Sequence, residues 1–310
     1  MKEPKKLSTR RHALQSVGGL GAVALLGWAC SDDGSTGGSG GSDGEGGSGG
    51  IDGSGGAGGS PSVGGSGGAG AAGSPGTGGE GGAAQSGDWA TGGTQVMDGK
   101  DYGNPFEDGV GPTCNVYASS TEGPCHAPSP TRKDVSEGYP GLPMRLELLI
   151  VDADCNPVPN AEVEIWHCDT LGVYSGDIDG NNDDFCTGGD EEAAAASWYR
   201  GIQTAGSDGR VTFDTNFPGW YGGRATHIHF RVTVGNTQYM VSQLFFDEDL
   251  KVEIYNSQPN YEPTSGQGYQ PNAGDNVIQE SGLEVSEVVC STAKQSDGAM
   301  LAWKAITINA

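Results

Sequence analysis

Basic side chains are in short supply: the 310-residue chain carries 16 Lys and Arg against 40 Asp and Glu, for a formal charge of −24 at pH 7. That imbalance argues against nucleic acid or an anionic lipid surface as a partner, since either needs a basic footprint. Long apolar runs are lacking too, and the stretch from Val17 to Trp28 is too short to span a bilayer. No C-x-x-C pair occurs, which speaks against a thiolate zinc site, and there is no H-E-x-x-H motif. Histidine is rare, with five in the chain. Two of them, His227 and His229, lie one residue apart, and no Asp or Glu occurs between Pro218 and Val234. Neither a zinc hydrolase nor a His-His-carboxylate ferrous centre therefore has a local third ligand.

What is present is unevenly distributed. The 57 glycines crowd into the first third of the chain, so it must be divided before it is read. Residues 1–30 read as an export signal, with Lys2, Lys5, Lys6, Arg10 and Arg11 forming a basic head before the apolar run. Thr9-Arg10-Arg11-His12-Ala13-Leu14 resembles a twin-arginine signal, with an ordinary secretory signal as the alternative. Leu25 to Cys30 resembles a bacterial lipobox, in which lipidated Cys30 would attach the protein to a membrane. Gly27 departs from that pattern, and plain cleavage near Ala29 is the alternative.

Residues 31–92 are rich in Gly, Ser and Ala and have almost nothing large and apolar to bury. They read as a disordered tether of roughly 60 residues with a reach of about 40 to 50 Å. Residues 93–310 are the right size for one domain with a substantial core. Six cysteines remain beyond Cys30, an even number that suits disulfides in an exported protein, periplasmic or at the cell surface. Their pairing is open, although Cys168 with Cys186 would staple the base of a polar insertion.

This domain reads as all-β, an antiparallel β-sandwich with long loops. Met144–Val151, Ala161–Trp166, Arg210–Phe213, Thr226–Val234 and Gln238–Phe246 are short runs enriched in β-branched and aromatic residues, separated by turn signals. Met300–Ile308 offers a closing strand and Asp247–Tyr255 a short helix. Ser175–Ser197 breaks the rhythm with a dense acidic stretch. Counted from Asp177, Asn182 and Gly188 stand where an EF-hand needs Gly and Glu, so the stretch reads as a solvated acidic loop.

In a strand, His227 and His229 project from one face while Ile228 points to the other. Two imidazoles so placed can hold one ion, although an alternating pair is also compatible with polar surface. The neighbourhood supplies tyrosine in place of carboxylate. Tyr221 sits on a Pro/Gly-framed loop six residues before His227, and a phenolate is a hard anionic oxygen suited to ferric iron.

Taken in order, Ser120-Thr-Glu-Gly-Pro, Pro143-Met-Arg-Leu-Glu-Leu, Cys155-Asn-Pro-Val-Pro-Asn-Ala-Glu-Val and Ile165-Trp-His-Cys-Asp-Thr-Leu-Gly-Val-Tyr174 resemble the intradiol ring-cleavage dioxygenases. Arg200-Gly-Ile-Gln-Thr, Phe217-Pro-Gly-Trp-Tyr-Gly-Gly-Arg-Ala-Thr-His-Ile-His and Ser242-Gln243-Leu-Phe-Phe extend the resemblance over most of residues 112–310. It implies one non-haem Fe(III) held by Tyr174, Tyr221, His227 and His229, with Tyr221 also accepting a substrate proton. It implies Arg224 as the cation facing charge that develops on the ring, and Gln243 beside the iron and the O₂ site. The substrate would be a catecholic aromatic, opened by O₂ to a muconate-type diacid. His167 matches no family ligand and reads as structural.

Three features depart from the pattern. Cys125-His126 stands where the family commonly has an aromatic residue, leaving open whether His126 lines the pocket or sits on an exposed loop. The connection from Tyr221 to His227 is short, and no helical dimerisation region precedes the sandwich, which leaves the oligomeric state open. A non-catalytic transthyretin-like surface module would share Val151–Val163 but leave the four donors far apart, and copper or zinc in the same pocket is a further alternative.

Overall fold

The computed structural model describes residues 88–110, 114–178, 183–220, 222–261 and 269–310. The export signal, Cys30, most of the Gly-rich segment and Tyr221 lie outside the described residues. The chain is mostly strand, arranged as two four-stranded sheets with a few short helices. In chain order the strands are β1 (Pro143–Val151), β2 (Glu162–Trp166), β3 (Arg200–Thr204), β4 (Arg210–Asn216), β5 (His227–Val234), β6 (Thr237–Phe245), β7 (Ser291–Lys294) and β8 (Met300–Thr307). One sheet has the order β4-β1-β8-β7 and the other β3-β2-β5-β6.

β1 is buried along its whole length. Met144, Leu146, Leu148 and Ile150 enter a core shared with Val163 and Ile165 of β2 and with Ile228, Phe230 and Val232 of β5. Each such side chain contributes about 1.5–3 kcal/mol by leaving water. The opposite face of β1 carries Arg145 and Glu147, which are covered because each has a partner. Arg145 pairs with Asp214 (Nε–Oδ1 2.7 Å), and Glu147 accepts from the Thr212 hydroxyl at 3.0 Å.

β8 is a strand, as the pattern at Met300–Ile308 predicts, but it does not close an edge. It lies between β1 and β7, parallel to β1 and antiparallel to β7. Two strands carry little sequence signal. β3 contains Gly201, where a Cβ would come within 2.5 Å of Val135 Cγ1, and β7 is the half-exposed edge segment Ser-Thr-Ala-Lys. The helix expected at Asp247–Tyr255 is α3, spanning Glu248–Ser257 and capped by Asp247, whose carboxylate accepts from the Asp249 and Leu250 amides. The acidic stretch folds around two single-turn helices, α1 (Asp183–Thr187) and α2 (Glu191–Ala195), with Glu191 and Glu192 exposed.

The disulfides are Cys114–Cys155 and Cys125–Cys186. The expected Cys168–Cys186 link is not formed: Cys186 is committed to Cys125, and Cys168 is buried with its thiol donating to the Gly219 carbonyl at 3.5 Å. Trp89, within the stretch read as tether, is buried, and its indole N–H donates to Glu253 at 2.7 Å. Among the described residues no helix is long and apolar enough to cross a membrane.

Candidate metal centre

β5 runs between β2 and β6, so His229 is flanked by Trp166 on one side and Gln243 on the other, and His227 faces Phe245. The alternation holds: Ile228 joins the core while both imidazoles turn to the other face, buried. Their Nε2 atoms lie 3.0 Å apart. His227 Nδ1 is 2.6 Å from the Ala225 carbonyl, which can only accept, so Nδ1 carries the proton and Nε2 presents its lone pair. His229 Nδ1 is buried without a hydrogen-bond partner. Both rings are held neutral. Burial, with Arg224 nearby, pushes the His227 pKa down to about 3, and burial with the His227 charge lowers that of His229 well below its usual value.

Tyr174 is fully buried, with its hydroxyl 3.4 Å from His227 Nε2. Among the described residues no three His, Cys, Asp or Glu side chains gather in a group able to hold a metal. The side chain whose oxygen stands beside the histidine pair is the phenol of Tyr174. The loop leading to Tyr221 is pinned beside the segment leading to Tyr174: the Gly219 amide donates to the Asp169 carbonyl at 3.0 Å, and a Cβ on Gly219 would lie 2.6 Å from the Thr170 carbonyl. Three of the four expected donors are in described positions, and Tyr174, His227 and His229 come together.

Arg224 and Gln243 are joined directly, Arg224 Nη2 donating to Gln243 Oε1 at 2.6 Å. Gln243 is fully buried, its amide donates to the Thr121 carbonyl at 3.2 Å, and its backbone carbonyl accepts from the Tyr117 hydroxyl at 2.9 Å. Arg224 is fixed by Asp275, a residue the sequence did not single out. Its Nε lies 2.9 Å from Asp275 Oδ2 and its Nη2 3.3 Å from Oδ1. The same carboxylate accepts from the Ala225 amide at 2.8 Å and caps the helix α4 (Asn276–Glu280) through the Val277 and Ile278 amides. Burial would raise this carboxyl's pKa, but the hydrogen bonds and charge of Arg224 outweigh it and hold the group below its usual value. The capping pattern at Asp275-Asn-Val-Ile was legible, but its partnership with Arg224, 51 positions away, was not.

Trp166 is the other residue missed. Its indole lies parallel to the His229 ring, with centroids 4.9 Å apart and 6° between the planes. His126 meets the same indole edge-on at 4.9 Å, and its nitrogens face Glu122 at 3.2 Å and Glu164 at 3.0 Å. Half-buried His126 is thus the hub of an ion cluster completed by Arg231, which pairs with Glu122 and Glu164. His167 is occupied elsewhere, by the Thr215 hydroxyl at 2.8 Å and the Cys168 carbonyl at 2.7 Å.

With this geometry in hand, known proteins add a family. The family described as Dioxygenase matches residues 116–259. An intradiol ring-cleavage dioxygenase structure from Tetranychus urticae is 27% identical, covering 63% of this chain and 95% of its own, with a TM-score of 0.55. Over these residues the chain resembles the intradiol ring-cleavage dioxygenases. Among curated intradiol relatives, the hydroxyquinol 1,2-dioxygenase of Nocardioides simplex is 27% identical over 164 residues, 43% of this chain and 51% of the relative. That of Corynebacterium glutamicum is 29% identical over 130 residues, 40% and 42% of the two chains. The chain therefore spans about half the length of the curated intradiol dioxygenases it matches. Asp275 lies beyond the residues matched to the family.

Proposed function

We propose that the protein is a non-haem Fe(III)-dependent dioxygenase that opens a catecholic ring between its two hydroxyl-bearing carbons with O₂, giving a muconate-type diacid. The observation that carries this reading is the meeting of three donors of two kinds: His227 Nε2 lies 3.0 Å from His229 Nε2 and 3.4 Å from the Tyr174 hydroxyl. In this reading Tyr174, Tyr221, His227 and His229 hold one ferric ion, the two phenolates favouring the trivalent state. When bound, the ion supplies Lewis acidity to the substrate oxygens.

The chain's own groups do the rest. Tyr221 takes a proton from a substrate hydroxyl. Arg224, immobilised by Asp275 and Gln243, sets a fixed positive charge where negative charge develops on the ring. The buried histidines remain neutral at working pH, so no proton competes for their lone pairs. The substrate class is a small catechol, and the names of the curated relatives make hydroxyquinol a member of the first panel to try.

The same proposal places the catalytic domain, residues 93–310, on a β-sandwich of the two sheets. Residues 31–92, apart from the docked stretch at Trp89 and Ala90, serve as its tether and 1–30 as an export signal, with lipid attachment at Cys30 and residence in the periplasm or at the cell surface. The two disulfides suit an oxidising compartment. The test is a measurement of iron per chain, visible absorption and O₂ uptake over a panel of catechols. Red-brown, iron-loaded protein that consumes O₂ and releases a diacid is expected, and colourless protein with a full complement of iron overturns the tyrosinate site.

A further inference from the structure

The Cys125–Cys186 disulfide closes a ring of contacts around the candidate centre. On one side, the loop ahead of Cys125 carries Gly123, which at φ +75° lies over His229. A Cβ there would sit 2.9 Å from His229 Cε1, so only glycine fits. On the other side, the backbone of Cys186 accepts from the Tyr174 amide at 2.8 Å. The disulfide joins these two segments across 61 positions of sequence. Arg200 joins them a second time: its Nη2 donates to the Cys125 carbonyl at 2.7 Å and its Nε to the Ser175 carbonyl at 2.8 Å. Both sulfurs lie in one buried cluster with Trp166 and Tyr174. Cys114–Cys155 lies outside that cluster: Cys114 lines a separate cavity of about 360 Å³ with Trp303 and Phe106, and its segment meets Gln243 through the Tyr117 hydroxyl, on the Arg224 side of the site.

We infer that the Cys125–Cys186 disulfide and Arg200 together are positioning elements of the metal centre, clamping the loop that backs His229 to the segment that carries Tyr174. The physical ground is loop entropy. Cys186, whose carbonyl holds the Tyr174 amide, lies in a single-turn helix too short to be stable by itself, so its position depends on what anchors it. A cross-link at Cys186 removes that freedom, and because its other half is Cys125, the gain is shared by the loop over His229. The positions of Tyr174 and His229 thus depend on Cys125–Cys186 far more than on Cys114–Cys155. The consequence for metal retention rests on the function proposed above, whereas the mechanical coupling does not.

The full-length chain is compared as wild type, as the double variant C125S/C186S and as the control C114S/C155S. Amide hydrogen exchange on metal-free protein reads the coupling. Exchange in residues 121–127 and 172–178 is expected to rise together by about tenfold in C125S/C186S, and to stay at wild-type rates in the control even where its Tm falls. Loss of iron to a chelator is then measured on loaded protein, with about tenfold faster release expected for C125S/C186S alone. If C125S/C186S fails to fold, partial reduction of wild type with dithiothreitol, followed by alkylation of Cys125, gives the same comparison within the native chain. A rise confined to one of the two segments, or equal effects of both double variants, overturns the inference. The coupled rise in C125S/C186S together with wild-type protein that binds no iron overturns the metal reading and leaves the clamp intact.

Discussion

Trp166 and His229 lie face to face, 4.9 Å apart and 6° from parallel, on adjacent strands β2 and β5. The ring that presents one of the candidate ligand nitrogens is thereby fixed by packing, while its Nδ1 lacks the hydrogen bond that usually orients a ligating histidine. Trp166→Phe preserves an aromatic face and should keep metal affinity within a few-fold. Trp166→Leu should cost about tenfold or more in affinity, read by competition with a chelator, and destabilise the fold by roughly 2–4 kcal/mol through the lost volume.

Tyr174→Phe keeps the buried ring in its cluster and removes only the hydroxyl near His227. Folding should survive with a change of Tm of a few degrees. Iron retention should fall by about a hundredfold or more and the visible band should shift or disappear. Retention at wild-type level would mean that this oxygen is not a ligand.

Asp275→Asn leaves the cap of α4 largely in place but strips the counter-charge from Arg224. Turnover should fall by about tenfold to a hundredfold with a smaller change in KM, and colour should persist, since no proposed ligand is touched. Asp275→Ala adds the loss of the cap and should be less stable than Asp275→Asn by about 1 kcal/mol in chemical denaturation.

The Asp275 carboxyl also predicts an acid limit. Its folded pKa is depressed, so its stabilising contribution is complete above the unfolded carboxylate value of about 3.9 and disappears as pH falls through the lower folded value. Wild type should therefore lose stability over that window more steeply than Asp275→Asn.

His167 acts higher on the pH scale. Burial lowers its pKa to about 4, so between about 6.5 and 4 the unfolded chain takes up a proton that the folded chain refuses. Stability should fall with pH across that range, by on the order of 3 kcal/mol at its lower end. His167→Gln should flatten this part of the curve in urea melts of metal-free protein.

The sequence was most legible where one physical pattern sufficed. Alternation in β1, β2, β4, β5 and β6 located five strands, and the H-x-H spacing put His227 and His229 on one face. β3 and β7 escaped because polar Arg200 and Gln203 and the half-exposed Ser291–Lys294 carry no apolar alternation. The order β4-β1-β8-β7 depends on pairing between strands far apart in the chain, which no local pattern encodes. Asp275 and Trp166 were missed for a related reason. Each resembles an ordinary cap or core residue until the fold brings Arg224 or His229 against it. Cysteine count predicted disulfides, but the pairing of Cys186 with Cys125 follows from the path of a loop that the spacing could not show.

The placement of β8 beside β1 also governs how the molecule is born. Met144 is the parallel register partner of Met300, so the β8 flank of β1 stays open until the end of the chain is made. At translation speeds of about 5–20 residues per second, the partner follows roughly 8 to 30 seconds later. Throughout that interval an apolar strand is available for mispairing with other nascent chains, so recombinant yield should respond to holdase chaperones more than to mutations that raise the melting point.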